Sequence, residues 1–269
     1  MIYFLEKADD ALEKACGLFP ASGTQIYGYA ARYGGMFPFC TSWIIQDGEG
    51  QAVGALGRIH STLRLSCGTL SEELFLELID FLDVIQWDTL EGPAETVQKI
   101  AQSSNFSGCS VEFGKTMEHR RGLSLCPVSD SISIQENPSL QEIFHILLKG
   151  PSEFSCVNEM EWRRDASHLI RHDGGVYVLA EGKAVAGVTA VAPEWGLISQ
   201  VVTHPEARGK GLATALISWC VNWLDWKGKG AVLLCSNPQA ERIYRRLGFE
   251  EKREFGILHR LELGNINTV

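Results

Sequence analysis

The sequence predicts an α/β protein, a mixed central sheet flanked by helices, and three observations carry that prediction. From Ser139 onward, short apolar runs of strand length alternate with amphipathic stretches of helical period. Helix-start and helix-stop residues punctuate those stretches in the right places. An apolar strand runs directly into a glycine-rich helix start at "VVTHPEARGKGLATALISW", Val201 to Trp219.

The elements of the second half can be read in order. Ser139-Leu140-Gln141-Glu142 has capping-box spacing, in which the Ser hydroxyl takes an orphan N–H and the Glu reaches back. Leu140, Ile143, Phe144, Leu147 and Leu148 then form one apolar helical face, closed by Gly150-Pro151. A second helix is expected over 158–171. "VYVLAEGKAVAGVTAV" (176–191) reads as two strands around a Glu181-Gly182 turn, and "GLISQVV" (196–202) as another strand. In the helix after the glycines, Leu212, Leu216, Trp219, Cys220 and Trp223 share one side. Thr214, Ser218, Asn222 and Asp225 are expected on the solvent side. "GAVLLC" (230–235) is a short buried strand. "NPQAERIYRRLGF" (237–249) is a helix with Pro at its first position and Gly past its end. "FGILHRLEL" (255–263) closes with a strand. The order is α, α, β, β, β, α, β, α, β.

The first half carries fewer signals. "TSWIIQD" and "AVGALGRI" read as a strand pair, 72–84 as a helix capped by Thr69 or Ser71, "VIQWDTL" as a strand and "AETVQKIAQ" as a helix. That order echoes the second half, but its first helix is not preceded by an Arg/Gly loop. The polar stretch "CPVSDSISIQENPS" (126–139) is a linker or an edge strand, so a boundary is placed between an accessory domain, 1–130, and a second domain, 136–269. "YGYAARYGGMFPFCTSW" (27–43) is either a loop over a cleft or an irregular buried connection.

Bulk properties narrow the function. A net charge of −9 argues against a general nucleic-acid binder. Residues 1–135 hold 9 basic and 17 acidic groups, whereas 136–269 hold 15 and 16, so a local anion site fits the second half. No run approaches the ~18 apolar residues of a membrane span, and the acidic start does not resemble a signal peptide. The eight cysteines include no C-x-x-C pair, which disfavours a metal or redox motif. They fit buried small hydrophobes in a reducing, cytoplasmic setting.

A helix N-terminus offers unpaired N–H groups and a partial positive charge, and glycine lets a ligand approach the backbone. Arg208, Gly209, Lys210, Gly211, Leu212 and Ala213 can therefore cradle a diphosphate, with Arg208 and Lys210 adding charge. A plain tight turn with solvated basic residues is the simpler alternative. A dinucleotide site asks for Gly or Ala where Thr214 stands and for an acid about 20 residues on, and none lies between Trp226 and Ala240. A Walker loop fails at this helix start because Gly209-Lys210 is followed by Gly211, not by Ser or Thr.

The whole segment resembles the GCN5-related N-acetyltransferase (GNAT) family. The family's Arg/Gln-x-x-Gly-x-Gly/Ala pattern is met by Arg208, Gly211 and Ala213, after a strand carrying Val201, Thr203 and Pro205 at its end. Downstream, Asn237, Ala240, Tyr244 and Leu247-Gly248-Phe249 match in order and spacing over roughly residues 138–264. The resemblance implies the GNAT fold, tandem GNAT-like halves with a degenerate first half, and acetyl-CoA as cosubstrate with no metal. It implies that loop amides hold the pyrophosphate, that Val201, Val202 and Thr203 pair with the pantetheine arm, and that Asn237 bonds it. It implies Tyr244 as the acid that protonates the leaving thiolate, and direct attack by a neutral amine, which makes the chain an N-acetyltransferase. The partner is then a small-molecule amine, with the acidic first half leaning toward a cationic one. A non-catalytic CoA-sensing or partner-binding module is the alternative.

The chain departs from the family where many members keep a catalytic Glu on the strand before the loop. Ser199 and Gln200 stand there, with no carboxylate from Gly196 to Pro205. Glu194, Glu181, His204 or a water chain are the substitutes to weigh as base. Trp219, Trp223 and Trp226 read as packing, and Arg245 and Arg246 as a solvated face, with one arginine able to meet the adenosine phosphate. Trp162, Arg163 and Arg164 lie where family members build the acceptor site, or are ordinary helix surface.

Overall fold

The computed structural model describes residues 1–34, 37–123, 131–150, 158–172 and 174–260. Two compact units divide the chain, Met1–Lys115 with Arg253–Val269, and Thr116–Lys252. The division falls earlier than the boundary read from composition, and the end of the last strand belongs to the first unit rather than to a domain running from 136 to 269.

The secondary structure repeats. The first run is β1 (Ile2–Leu5), α1 (Asp10–Gly17), α2 (Pro20–Tyr33), β2 (Cys40–Gln46), β3 (Ala52–Ile59), β4 (Thr62–Cys67), α3 (Glu72–Val84), β5 (Thr89–Pro93), α4 (Ala94–Ala101) and β6 (Ser110–His119). The second is β7 (Ile134–Glu136), α5 (Leu140–Leu147), α6 (Glu159–Arg171), β8 (Val176–Ala180), β9 (Ala184–Val191), β10 (Trp195–Thr203), α7 (Leu212–Trp226), β11 (Gly230–Cys235), α8 (Pro238–Arg246) and β12 (Glu250–His259). Both runs read β, α, α, β, β, β, α, β, α, β, so the sequence echo extends further than the readable pieces suggest. No helix among the described residues is long and apolar enough to cross a membrane.

In the first unit β1 to β4 are joined by antiparallel pairing, β4 and β5 run parallel, and Phe255–His259 of β12 adds antiparallel to β5. Leu74, Leu78 and Leu82 of α3 and Val97 and Ile100 of α4 bury one sheet face, while α1 and α2 cover the other around Leu12, Ile26 and Ile44. In the second unit β7, β8, β9 and β10 pair antiparallel, and β10 and β11 run parallel. Leu212, Leu216 and Cys220 of α7 pack on one face with Tyr244 of α8. Ile143, Phe144, Trp162 and Leu169 of α5 and α6 pack on the other. Each unit is thus a mixed sheet between helices, the architecture expected.

Local chemistry explains most boundaries. Ser139 and Glu142 form the capping box reciprocally. The Asn158 side chain accepts the Met160 and Glu161 amides, so α6 starts where expected. Glu181 and Gly182 adopt φ of 51° and 62°, the left-handed pair that closes the β8–β9 hairpin. Of the two candidate caps for α3, Ser71 serves, accepting the Leu74 amide.

Four expectations are corrected. The strand read over "VIQWDTL" begins only at Thr89, because the Trp87 indole turns in to donate to the Leu82 carbonyl at the end of α3. Residues 27–33 of the aromatic stretch are the end of α2, and 40–43 begin β2, so only a short connection lies between them; residues 35 and 36 are outside the described set. Ser218 is not on a solvent face but fully buried, since α7 packs on nearly all sides. The last strand spans Glu250–His259, and residues 261–263 of the expected strand lie outside the described residues, as do 126–130 of the expected linker and Pro151. Cys16, Cys40, Cys67, Cys220 and Cys235 are buried free thiols. Burial pushes the Cys67 thiol up to about 11.

Candidate active site

The site is built on β10 and the glycine loop that leads from it into α7. β10 registers with β11 only at Trp195–Leu197 against Gly230–Val232, whereas on its other side it stays paired with β9 as far as Thr203 opposite Ala184. From Ile198 onward the β11-facing edge of β10 therefore has no registered partner among the described residues. Two register shifts in the β9–β10 pairing, before Ile198 and between Ser199 and Val202, mark where the strand bends. Gln200 sits in the second with φ 55°, a left-handed conformation that costs about 1 kcal/mol in a residue with a Cβ.

The strand then enters a short 3₁₀ turn, Pro205–Ala207, and the glycine loop. Gly209 and Gly211 both have φ 77°, and a Cβ built on either meets nothing within 4 Å, so open space lies beside the backbone. Gly211 is the N-cap of α7 and no side chain caps the helix. The first-turn amides of Leu212, Ala213 and Thr214 are thus the orphan donors of an uncapped helix. The Arg208 amide, in contrast, donates to the Pro205 carbonyl at 3.3 Å, so the free run of donors begins after it. Arg208 and Lys210 are exposed, and neither makes an ion pair among the described residues. Two unpaired cations beside an uncapped helix N-terminus favour an anion.

Val201, Val202 and Thr203 form the end of β10. Val202 is buried against the α5–α6 side and Val201 packs partly against the α7 side. Asn237 is exposed and caps α8, its Oδ1 accepting the Gln239 amide at 2.8 Å. Its Nδ2 donors are free of that role. Its backbone carbonyl accepts the Cys235 thiol at 3.4 Å. Ala240 packs partly against the same core. Tyr244 is 7% exposed, with its ring centroid 5.8 Å from that of Phe249. Burial, reinforced by Cys235, pushes the Tyr244 phenol well above its ordinary value, so it stays protonated at any working pH.

The candidate bases separate. Glu194 lies at the start of β10, the far end of the strand from the glycine loop. The Glu181 carboxylate accepts the Ser133 amide in the β8–β9 turn. The His204 imidazole caps its own 3₁₀ turn, accepting the Glu206 amide at 3.4 Å. Arg245 is held by Glu241 and Glu251 at 2.7 and 2.6 Å, a solvated ion-pair face. Of the three tryptophans read as core or partner packing, Trp219 and Trp223 pack against the core, and Trp226 is 80% exposed.

A polar cluster on the α5–α6 face has no counterpart among the sequence expectations. Gln200 Oε1 accepts from Trp162 Nε1 at 3.0 Å and from the Tyr177 hydroxyl at 2.8 Å. Thr189 and Ser199 share a hydroxyl–hydroxyl bond of 2.7 Å nearby. Trp162 is buried, while Arg163 pairs with Glu159 on the helix surface.

Known proteins resemble this chain in sequence and in fold. Residues 172–251 match the family model of the acetyltransferase (GNAT) domain. An uncharacterized N-acetyltransferase of Methanocaldococcus jannaschii is 38% identical over 58 residues, which is 20% of this chain and 26% of that protein. A solved tandem GNAT protein from the clavulanic acid biosynthesis pathway has a similar fold, with a TM-score of 0.58 at 14% identity, covering 96% of this chain and 98% of its own. A GNAT-family acetyltransferase from Colwellia psychrerythraea aligns with a TM-score of 0.56 at 14% identity, covering 97% and 100%.

Proposed function

From the acetyltransferase (GNAT) domain that residues 172–251 carry, we propose that the chain is an N-acetyltransferase that moves the acetyl group of acetyl-CoA to a small-molecule amine by direct attack. The observation that carries this reading is the open edge of β10 leading into an uncapped α7 with two left-handed glycines. An extended arm ending in a diphosphate fits both parts of that feature at once. Amides from Gly209 to Thr214 would hold the diphosphate, with Arg208 and Lys210 beside them. The edge of Val201–Thr203 would pair with the arm, and Asn237 would donate from Nδ2.

Acetyl-CoA supplies the activated acetyl group when bound. The chain's own contribution is positioning and electrostatics. Backbone N–H groups on the open strand edge can polarise the reacting carbonyl. Tyr244 gives its proton to the departing sulfur; it arrives protonated, and burial, by raising its pKa, weakens it as an acid until the thiolate forms beside it. Glu194 is too far along β10, and His204 and Glu181 are engaged elsewhere, which favours water as the route for the amine proton. The first unit, 1–115 with the end of β12, is assigned as the degenerate repeat without an acetyl-CoA loop, and the chain is placed in the cytoplasm.

Calorimetric titration with acetyl-CoA, CoA and NAD, followed by a thiol-release assay across amine classes, tests the proposal. Stoichiometric binding of acetyl-CoA with CoA release in the presence of an amine is the expected result. Binding without turnover would identify a CoA sensor, and no binding of either CoA species would remove the reading.

A further inference from the structure

Gln200 is held by two donors, and they fix which end of its amide is free. An indole N–H can only donate, so the Trp162 bond forces Oε1, not Nε2, toward the interior. The Tyr177 hydroxyl donates to the same oxygen. The Tyr177 ring reaches Gln200 by crossing β9 at Gly187, where a Cβ would sit 2.7 Å from its Cε1. Gly187 is opposite both Tyr177 and Ser199 in the strand register, so its missing side chain is what opens that path. Nε2 has no partner among the described residues and is not sealed from solvent. The result is a neutral carboxamide, in a strained left-handed backbone position, presenting two N–H donors.

Its position gives those donors a use. Gln200 directly precedes the Val201–Thr203 edge assigned to the pantetheine arm, with the diphosphate loop beyond it. It therefore stands at the acyl end. Resting on the acetyl-transfer reading, we infer that Gln200 is a specificity residue that donates a hydrogen bond to an oxygen adjacent to the reacting amine. The substrate class is an amine bearing a neighbouring carbonyl or carboxylate, such as an α-amino amide or α-amino acid. A polyamine offers no such acceptor, and the strand from Gly196 to Pro205 offers it no carboxylate. A donor that a bound substrate covers and leaves unpaired is costly, which is how one amide can discriminate.

The test compares leucinamide with 3-methylbutylamine, its analogue without the carboxamide, and with putrescine. Wild type should favour leucinamide. Gln200→Glu keeps an oxygen for Trp162 and Tyr177 but replaces the free donors with an anion. It should lower kcat/KM for leucinamide by about tenfold or more, mainly through KM, and change 3-methylbutylamine less than about threefold. Tyr177→Phe, which loosens the amide without removing it, should give a smaller shift in the same direction. Acetyl-CoA affinity should be unchanged in all three proteins. Equal losses for both amines, or a wild type that prefers putrescine or acetylates no leucinamide, would overturn the inference. Loss of acetyl-CoA binding in wild type would instead strike at the acetyl-transfer reading itself.

Discussion

Helices α3 and α7 occupy the same place in the repeated element order, each coming after the third strand of its β-β-β run, yet their N-termini are opposites. α3 is capped by Ser71 and carries Glu72 and Glu73 in its first turn. α7 has Gly211 as an uncapped N-cap and no acid in its first turn. One terminus caps an amide with its own side chain and surrounds the rest with negative charge, which stabilises a helix and repels an anion. The other leaves its amides open. The strands before them differ in parallel. β4 pairs with β3 without a register shift, whereas β10 is shifted twice against β9. Beyond its last registered pair with β4, β5 stays in close contact through Gly92, whose Cβ would lie 3.0 Å from that of Leu65. On β4 itself, the buried Ser66 hydroxyl accepts the Phe19 amide and donates to the Ala15 carbonyl, locking the α1–α2 corner onto the strand. The same architecture thus yields a closed strand with a self-capped helix in one unit, and an open strand with an anion-ready helix in the other.

The contrast is broken most severely by Gly211→Glu, which puts an acid at the N-cap of α7 and fills the open space beside the loop. Acetyl-CoA affinity should fall by at least ~100-fold in calorimetry, with the fold retained apart from the roughly 1 kcal/mol cost of a Cβ at positive φ. Undiminished affinity would show that the loop is only a turn. Next in size is Ser66→Ala. It strands the buried Phe19 amide, so unfolding should become easier by about 1–3 kcal/mol in a denaturant titration. Acetyl-CoA binding should not change, because Ser66 belongs to the unit without the loop.

How far the sequence discloses this contrast depends on whether a residue's role is local. Ser139 with Glu142, Asn158, Asn237 with Pro238, and Glu181-Gly182 act on their own neighbours in the chain, and every element they bound lies where they indicate. The glycine loop is readable for the same reason. β1, α1, α2 and β4 are not. Only Leu18 and Phe19 separate α1 from α2, and the close fit between them rests on Gly23, where a Cβ would lie 1.9 Å from the Cys16 carbonyl oxygen. A buried glycine chosen for close packing looks in sequence like a helix breaker. Trp87 suggests a strand but serves the end of α3. Gln200 reads in sequence only as a place where a carboxylate is missing. Its pinning depends on a bulge, a bare position at Gly187 and an indole from another helix, none of which is local.

Smaller effects sharpen the same comparison. Ser71→Ala should cost about 1 kcal/mol by removing a cap, seen as a lower midpoint with acetyl-CoA affinity intact. The opposite expectation holds at α7, where there is no cap to remove.

The least effect, and one that separates the units by pH, comes from His119. It is the histidine among the buried polar residues, and it lies in the second unit; those of the first unit are Ser22, Thr24, Ser42, Ser66 and Glu91. Burial holds its imidazole below the ordinary 6.5, against an opposing pull from the Asp225 carboxylate. The unfolded chain therefore takes up a proton near pH 6.5 that the folded unit resists. Stability on this account is full above pH 6.5 and declines as pH falls below it. Glu118, whose carboxyl burial raises above 4.5, acts in the opposite sense, so wild type must be read against a variant that removes only the imidazole. His119→Gln should flatten the decline below pH 6.5, measured as denaturation midpoints at several pH values. Amide exchange should place the wild-type loss in β8 to β11 before β2 to β4. A decline that persists unchanged in the variant, or that begins in the first unit, would mean that acid sensitivity does not follow the buried imidazole.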